Sequence, residues 1–166
     1  MAADRVNLII DGRKCKGVSG QTILEVARDY GIRIPTLCYH EALTPTGSCR
    51  VCVVEVTMGN RTRTMASCVT PIEDGMKVVT DTKQLRSVRK MVVALLEARC
   101  PDLEVIKDAA KEVGLKKNPF PKEEEDCFLC GMCVRACQEI VGVGAIGFAH
   151  RGPESEVMPP LSLIHI

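Results

Sequence analysis

Four cysteines, Cys38, Cys49, Cys52 and Cys68, are separated by ten, two and fifteen residues, and four more, Cys127, Cys130, Cys133 and Cys137, by two, two and three. So many thiols in 166 residues constrain the chain more than any other feature. They must be crosslinked, bound to metal or buried. A disulfide framework requires an oxidising compartment. Met1-Ala2-Ala3-Asp4-Arg5 runs straight into a strand pattern, with no apolar stretch or cleavage site of a secretory signal. A reducing, cytoplasmic location is therefore expected, with thiols free to bind metal. No run approaches the roughly 18 apolar residues of a membrane span, so direct membrane insertion is not expected.

The spacings select the metal. Iron in iron–sulfur clusters favours thiolate, a soft, strongly donating ligand. Four thiolates complete two tetrahedral irons that share two sulfides. Cys38, Cys49 and Cys52 lie close enough to wrap such a cluster in one loop, and Cys68, at a strand end, would fix that loop to the fold. Gly47 and Ser48 are small and let backbone N–H groups approach the sulfurs, where they tune the potential. The first set thus has the form of a 2Fe–2S site. The tight second run follows the bacterial pattern for a 4Fe–4S cubane. Gly131 lets its loop close.

Each position also admits a rival reading. A Rieske centre needs two histidines, but Cys49 pairs with Cys52 where a Rieske motif has His, and His40 reads as a polar loop residue. Structural zinc usually takes two Cys-x-x-Cys knuckles, and the first half has one. Cys15 and Cys100 read as buried, unligated thiols. Gly142-x-Gly144-x-x-Gly147 has the letters of a dinucleotide fingerprint but follows a cysteine-bearing helix instead of a strand. No nucleophile–base constellation is present. Lys plus Arg number 22 against 21 Asp plus Glu, and aromatics are 3% with no Trp, so neither charge nor stacking residues suggest a nucleic-acid partner. Arg50, Arg61 and Arg63 read as solvated surface charge.

Periodicity orders the elements. Val6–Ile10 and Arg13–Val18 read as a hairpin about Asp11-Gly12. Thr22 to Glu25 has capping-box form and opens a helix that Gly31 ends. Val51–Val56, Arg63–Val69 and Lys77–Thr80 read as strands. Asp81 or Thr82 caps a long helix to Arg99, with Leu85, Val88, Val92, Leu95 and Leu96 on one side. Pro101 breaks it, and a second helix covers Leu103 to Val113. Lys116 to Glu125 reads as a linker. Met132 to Ile140 would be a short helix and Val143 to Ala149 a strand, with Arg151-Gly152-Pro153-Glu154 as a loop.

The segments Ile34-Pro35-Thr36-Leu37-Cys38-Tyr39-His40 and Gly47-Ser48-Cys49-Arg50-Val51-Cys52-Val53-Val54-Glu55-Val56 carry a resemblance. With a ten-residue gap, where plant-type ferredoxins have four, they resemble the N-terminal iron–sulfur region of the NADH:quinone oxidoreductase large subunit. They are also similar to the diaphorase small subunit of NAD-linked hydrogenases and to the N-terminal domain of iron-only hydrogenases. The resemblance covers almost the whole chain. It implies an α+β fold: a β-grasp 2Fe–2S ferredoxin domain over residues 1–80, a helical connector over 81–121, and a partial dicluster ferredoxin-like 4Fe–4S domain over 122–166. The ligands it implies are Cys38, Cys49, Cys52 and Cys68 for 2Fe–2S, and Cys127, Cys130, Cys133 and Cys137 for 4Fe–4S. The implied role is relay of single electrons between a flavin- and NAD(P)H-binding subunit and a catalytic partner such as a hydrogenase. The alternative is the electron-input region of a single-chain iron-only hydrogenase.

Two departures stand out. Relatives commonly carry a His and three cysteines after the long helix, where this chain has only Cys100-Pro101, so that further cubane is expected to be absent. In two-cluster ferredoxins the fourth cysteine of the run serves the other cluster, and no further cysteines follow Cys137. Either Cys137 closes a local cubane or the domain ends early. The last residues, Leu161 to Ile166, fit no element and resemble translated adapter sequence, which favours early termination.

Overall fold

The computed structural model describes residues 5–160, so the expectation for Leu161 to Ile166 lies outside the described residues. Strand β1 (Arg5–Ile10) turns back through Asp11-Gly12 into β2 (Arg13–Val18). Both turn residues have positive φ, 48° and 79°, as a two-residue hairpin of right-handed strands requires. The Asp11 carboxylate then accepts the Thr80 N–H at 2.8 Å and the Thr80 hydroxyl at 2.6 Å, tying the hairpin to a segment 69 residues away.

Helix α1 (Ile23–Asp29) starts with the expected capping box. Thr22 Oγ1 accepts the Glu25 N–H, and Glu25 Oε2 accepts the Thr22 N–H at 2.7 Å. Strands β3 (Val53–Met58), β4 (Arg61–Ala66) and β5 (Met76–Val79) complete a five-stranded mixed sheet, ordered β2-β1-β5-β3-β4. Only the central β1–β5 pair is parallel. Alternate residues Leu8 and Ile10, Val54 and Val56, and Met76 and Val78 face Ile23, Leu24, Val26 and Ala27 of α1 in the first core. Fully burying each large aliphatic side chain there contributes about 1.5–3 kcal/mol.

Helix α2 (Lys83–Arg99) is capped by Thr82, whose Oγ1 accepts the Leu85 N–H at 3.1 Å. Its buried stripe corrects the expected one in part: Leu85 is buried and Val92 and Leu96 pack on the second core as expected, but Arg89, Val93, Ala94 and Ala98 also face inward, while Leu95 is half exposed. The expected face followed apolar letters, whereas the real one places a guanidinium on the buried side. Helix α3 (Glu104–Glu112) packs on α2, and Ile106 and Ala110 are buried. The linker after α3 is bonded rather than free. Asn118 donates to the Ala94 carbonyl at 2.7 Å and the Glu123 N–H to that of Ala98 at 2.7 Å, serving carbonyls near the end of α2.

Several expected boundaries shift. The Val51–Val56 strand begins at Val53, because Val51 and Cys52 belong to the preceding turn. The Arg63–Val69 strand ends at Ala66, leaving Cys68 in a turn held by Ser67, whose N–H and hydroxyl both donate to the Cys52 carbonyl. The expected helix from Met132 is one α-turn, α4 (Met132–Arg135), continuing as a π-helical turn Ala136–Val141. The strand expected over Val143 to Ala149 shrinks to β6 (Gly147–Ala149), since Gly142 and Gly144 take positive φ. Residues Gly152–Glu154 form a 3-10 turn, and β7 (Glu156–Met158), not foreseen, pairs antiparallel with β6. Arg99 at the end of α2 reaches this last segment, donating to the carbonyls of Cys127, Pro153 and Ser155.

Candidate metal centre

The loop between α1 and β3 carries Cys38, Cys49 and Cys52, and the turn after β4 carries Cys68. All four are buried, at 2%, 7%, 1% and 1% exposure. They form two close pairs. The Cys49 N–H donates to Cys38 Sγ at 3.4 Å, and the sulfurs of Cys52 and Cys68 lie 3.4 Å apart and share a hydrogen bond. A disulfide would need about 2.05 Å, and all ten cysteines are free. Two thiolates on one tetrahedral metal at about 2.3 Å sit roughly 3.8 Å apart, close to the 3.4 Å between the sulfurs of Cys52 and Cys68. Two irons sharing two sulfides need two thiolates each, which is what the pairing supplies.

The protonation chemistry follows the pairing. The hydrogen bond from Cys49 lowers the Cys38 pKa to about 6, against the opposing effect of burial, and the hydrogen bond from Cys68 lowers that of Cys52 to about 6. Cys49 and Cys68 are pushed up, first because each holds the proton of that bond and then because burial penalises a second anion. Each pair thus offers one ready thiolate, the form that binds metal.

The surrounding backbone is shaped for the site. Gly47 has φ +66°, and a Cβ there would lie 3.1 Å from Val69 Cγ2, beside Cys68. Only glycine suits both the conformation and the contact. Arg50, inside the Cys49–Cys52 turn, also has positive φ, 57°. His40 is exposed and accepts the Ala42 N–H on Nδ1. Arg28 stacks 4.5 Å above the Tyr39 ring, next to Cys38.

Two residues that sequence reasoning missed hold this loop. Arg89 of α2 is 7% exposed and donates to the carbonyls of Val51 at 3.2 Å, Val53 at 2.7 Å and Thr80 at 2.8 Å. Arg135 of α4 donates to the carbonyls of Cys38 at 2.8 Å and Thr44 at 2.7 Å. A signal for Arg89 was legible: it sits four residues from both Leu85 and Val93, a charge on an apolar stripe. Arg135 had none, because its partners are 91 and 97 residues away.

The second run is arranged differently. Cys127 and Cys133 are exposed, and Cys130 and Cys137 are partly buried. The Leu129 N–H donates to Cys127 Sγ at 3.4 Å and the Ala145 N–H to Cys137 Sγ at 3.1 Å. Backbone N–H groups thus already point at two of these sulfurs. Cys130 packs against the apolar cluster that contains Cys38, Cys49, Val51 and Val93, and burial raises its pKa. Cys130 of the second run therefore shares a packed layer with Cys38 and Cys49 of the first. Cys15 and Cys100, at 1% and 0% exposure, are buried, Cys15 in the same apolar core as Cys52 and Cys68, and burial raises each thiol's pKa.

Comparison with known proteins agrees with this geometry. Residues 3–83 match the family described as the 2Fe–2S iron–sulfur cluster binding domain. The chain is also similar to a chain in the crystal structure of an NAD+-reducing [NiFe]-hydrogenase in the H2-reduced state. The TM-score is 0.82 at 30% identity, over 93% of this chain and 74% of that one. Residues 3–83 belong to the 2Fe–2S iron–sulfur cluster binding family. Among curated relatives, this 2Fe–2S protein is 34% identical to the NADPH-Fe(3+) oxidoreductase subunit alpha of Geobacter sulfurreducens over 89% of its length. It is 31% identical to the NADH-ubiquinone oxidoreductase 75 kDa subunit of Reclinomonas americana over 92%. It spans 20% and 25% of those two proteins. Among the described residues, no helix is long and apolar enough to cross a membrane.

Proposed function

We propose that this chain is the electron-relay module of a larger iron–sulfur oxidoreductase. In that role it passes single electrons between a flavin- and NAD(P)H-binding subunit and a catalytic partner such as a hydrogenase. The observation that carries the reading is the pair of buried thiol pairs, Cys38 with Cys49 and Cys52 with Cys68, in a domain of the 2Fe–2S family. In this reading the five-stranded sheet and α1 over residues 1–80 form a β-grasp ferredoxin domain, and each thiol pair holds one iron of a 2Fe–2S cluster. Residues 81–121 are the connector, which covers the site with α2 and α3.

The segment from residue 122 onward belongs to a second ferredoxin-like unit, in which Cys127, Cys130, Cys133 and Cys137 hold a 4Fe–4S cluster. The packing of Cys130 against Cys38 and Cys49 supports an electron path between the two sets. When bound, the clusters supply the one-electron redox chemistry. The chain itself supplies thiolates, N–H donors to sulfur and a largely dry first site.

The test is anaerobic reconstitution with iron and sulfide, followed by iron counting and EPR of the dithionite-reduced chain. About six irons per chain, with one signal visible at liquid-nitrogen temperature and a second only near liquid-helium temperature, supports both sites. About two irons restricts the reading to the first. No iron refutes it.

A further inference from the structure

Arg135 lies inside the second cysteine run, between Cys133 and Cys137, yet its guanidinium serves the first. It is 6% exposed. Nη2 donates to the carbonyl of Cys38 at 2.8 Å and to that of Cys130 at 3.4 Å, and Nη1 to that of Thr44 at 2.7 Å. One planar fork thus clamps backbone from both cysteine sets. All three acceptors are neutral carbonyls, so the side chain remains a buried net cation. Glu139, one turn on, accepts the Thr44 N–H at 2.7 Å, but it is exposed and its charge is screened by solvent.

Arg135 Nε is sealed from water and has no hydrogen-bond partner among the described residues. A buried donor without an acceptor is uncommon and calls for a missing group. The Arg135 neighbours Cys38 and Cys130 are both candidate cluster ligands, and the guanidinium already holds the carbonyl of each.

We propose that Arg135 is a positioning residue that sets the reduction potential of the cluster on Cys38, Cys49, Cys52 and Cys68 from within the second cysteine run. This rests on the electron-relay reading above. One-electron reduction, with the electron taken from an external reductant such as dithionite, adds a negative charge to the first site. A fixed cation in a poorly solvated layer favours that reduced state. The clamp on Cys38 and Cys130 keeps the two sets in register, so that the potential and the distance between the sites are held by one side chain.

The experiment is an EPR-monitored potentiometric titration of the reconstituted chain and three variants. Arg135→Gln should lower the midpoint of the first-site signal by at least a tenfold change in the reduced-to-oxidised ratio at fixed ambient potential, about 59 mV for a one-electron couple. Arg135→Lys, which keeps the cation, should recover more than half of that shift. Arg61→Gln, which removes an exposed charge on β4, should leave the midpoint in place. An unchanged midpoint in Arg135→Gln overturns the proposal, as does an equal fall in Arg135→Lys. If Arg135→Gln does not hold the cluster, Arg135→Lys decides: a retained cluster near the wild-type midpoint supports the proposal, and loss from both variants reduces Arg135 to a structural clamp and overturns it. A wild-type chain without the first-site signal overturns the electron-relay reading as well, which separates the two failures.

Discussion

Replacing Arg89 with Met tests how far the first site depends on the helix that covers it. The buried guanidinium makes three hydrogen bonds to backbone, on either side of Cys52 and at the end of β5. Burial pulls its pKa below the ordinary guanidinium value, which shows the desolvation cost those bonds offset. Bonds to a charged donor contribute about 1.5–3 kcal/mol each. Three such bonds do not add, because Met removes the desolvated charge and refills part of the volume. Each carbonyl left buried without a donor costs about 1–3 kcal/mol, and loss of the desolvated charge offsets part of the sum. We expect about 3 kcal/mol, or a Tm lower by roughly 6–12 °C for a domain of this size. The assay is thermal and urea unfolding of the reduced, metal-free chain followed by circular dichroism, so that cluster affinity does not enter. Arg89→Lys should recover only part, since one ammonium cannot reproduce the fork. A Met variant within about 0.5 kcal/mol of wild type would refute the reasoning, because uncompensated carbonyls cannot be that cheap.

Other outcomes follow from the same geometry. Cys52→Ser should remove about two irons per chain and the first-site EPR signal, while Cys15→Ala and Cys100→Ala retain both; iron loss in the latter two would break the ligand assignment. Thr22→Ala removes the capping box and should cost about 1 kcal/mol in urea unfolding, with no change in iron content. The metal-free chain should gain stability as pH rises from about 6 toward 9, because Cys38 and Cys52 have folded pKa values of about 6, below the unfolded value of 9.0. Above pH 9.0 that gain should reverse, because Cys49 and Cys68 are shifted upward from the same 9.0. Urea midpoints across that range, with ultraviolet thiolate absorbance as the companion measurement, check both the rise and the fall. Gly47→Ala should cost about 1–2 kcal/mol from its positive φ and its contact with Val69, read by the same urea midpoints.

Local signals were legible where the physics is local. Asp11-Gly12 specifies its hairpin because the turn needs positive φ at both positions, and Thr22 with Glu25 starts α1 because both caps lie within one turn. The α2 boundaries were equally readable, from Thr82 to Pro101. Its buried face was legible in part: Leu85 is buried and Val92 and Leu96 pack against the second core, but Leu95 is half exposed and Arg89 takes a buried place that no apolar letter marks. The strand ends beside Cys52 and Cys68 moved for a similar reason: Ser67 bonds the Cys52 carbonyl, a contact across 15 residues that no local propensity encodes.

The cysteine spacing alone determined the class of cofactor and the candidate ligands, since the order of thiols along the chain is itself a chemical constraint. Tertiary structure alone decided the pairing, Cys38 with Cys49 and Cys52 with Cys68, and it alone brought Cys130 into the same layer. It also placed Arg89 and Arg135, from two separate helices, on the carbonyls around the first site. The physical reason is common to all of these. A buried cation is stable only where distant backbone carbonyls converge on it, and convergence over 36 to 97 residues exists only once the chain has folded.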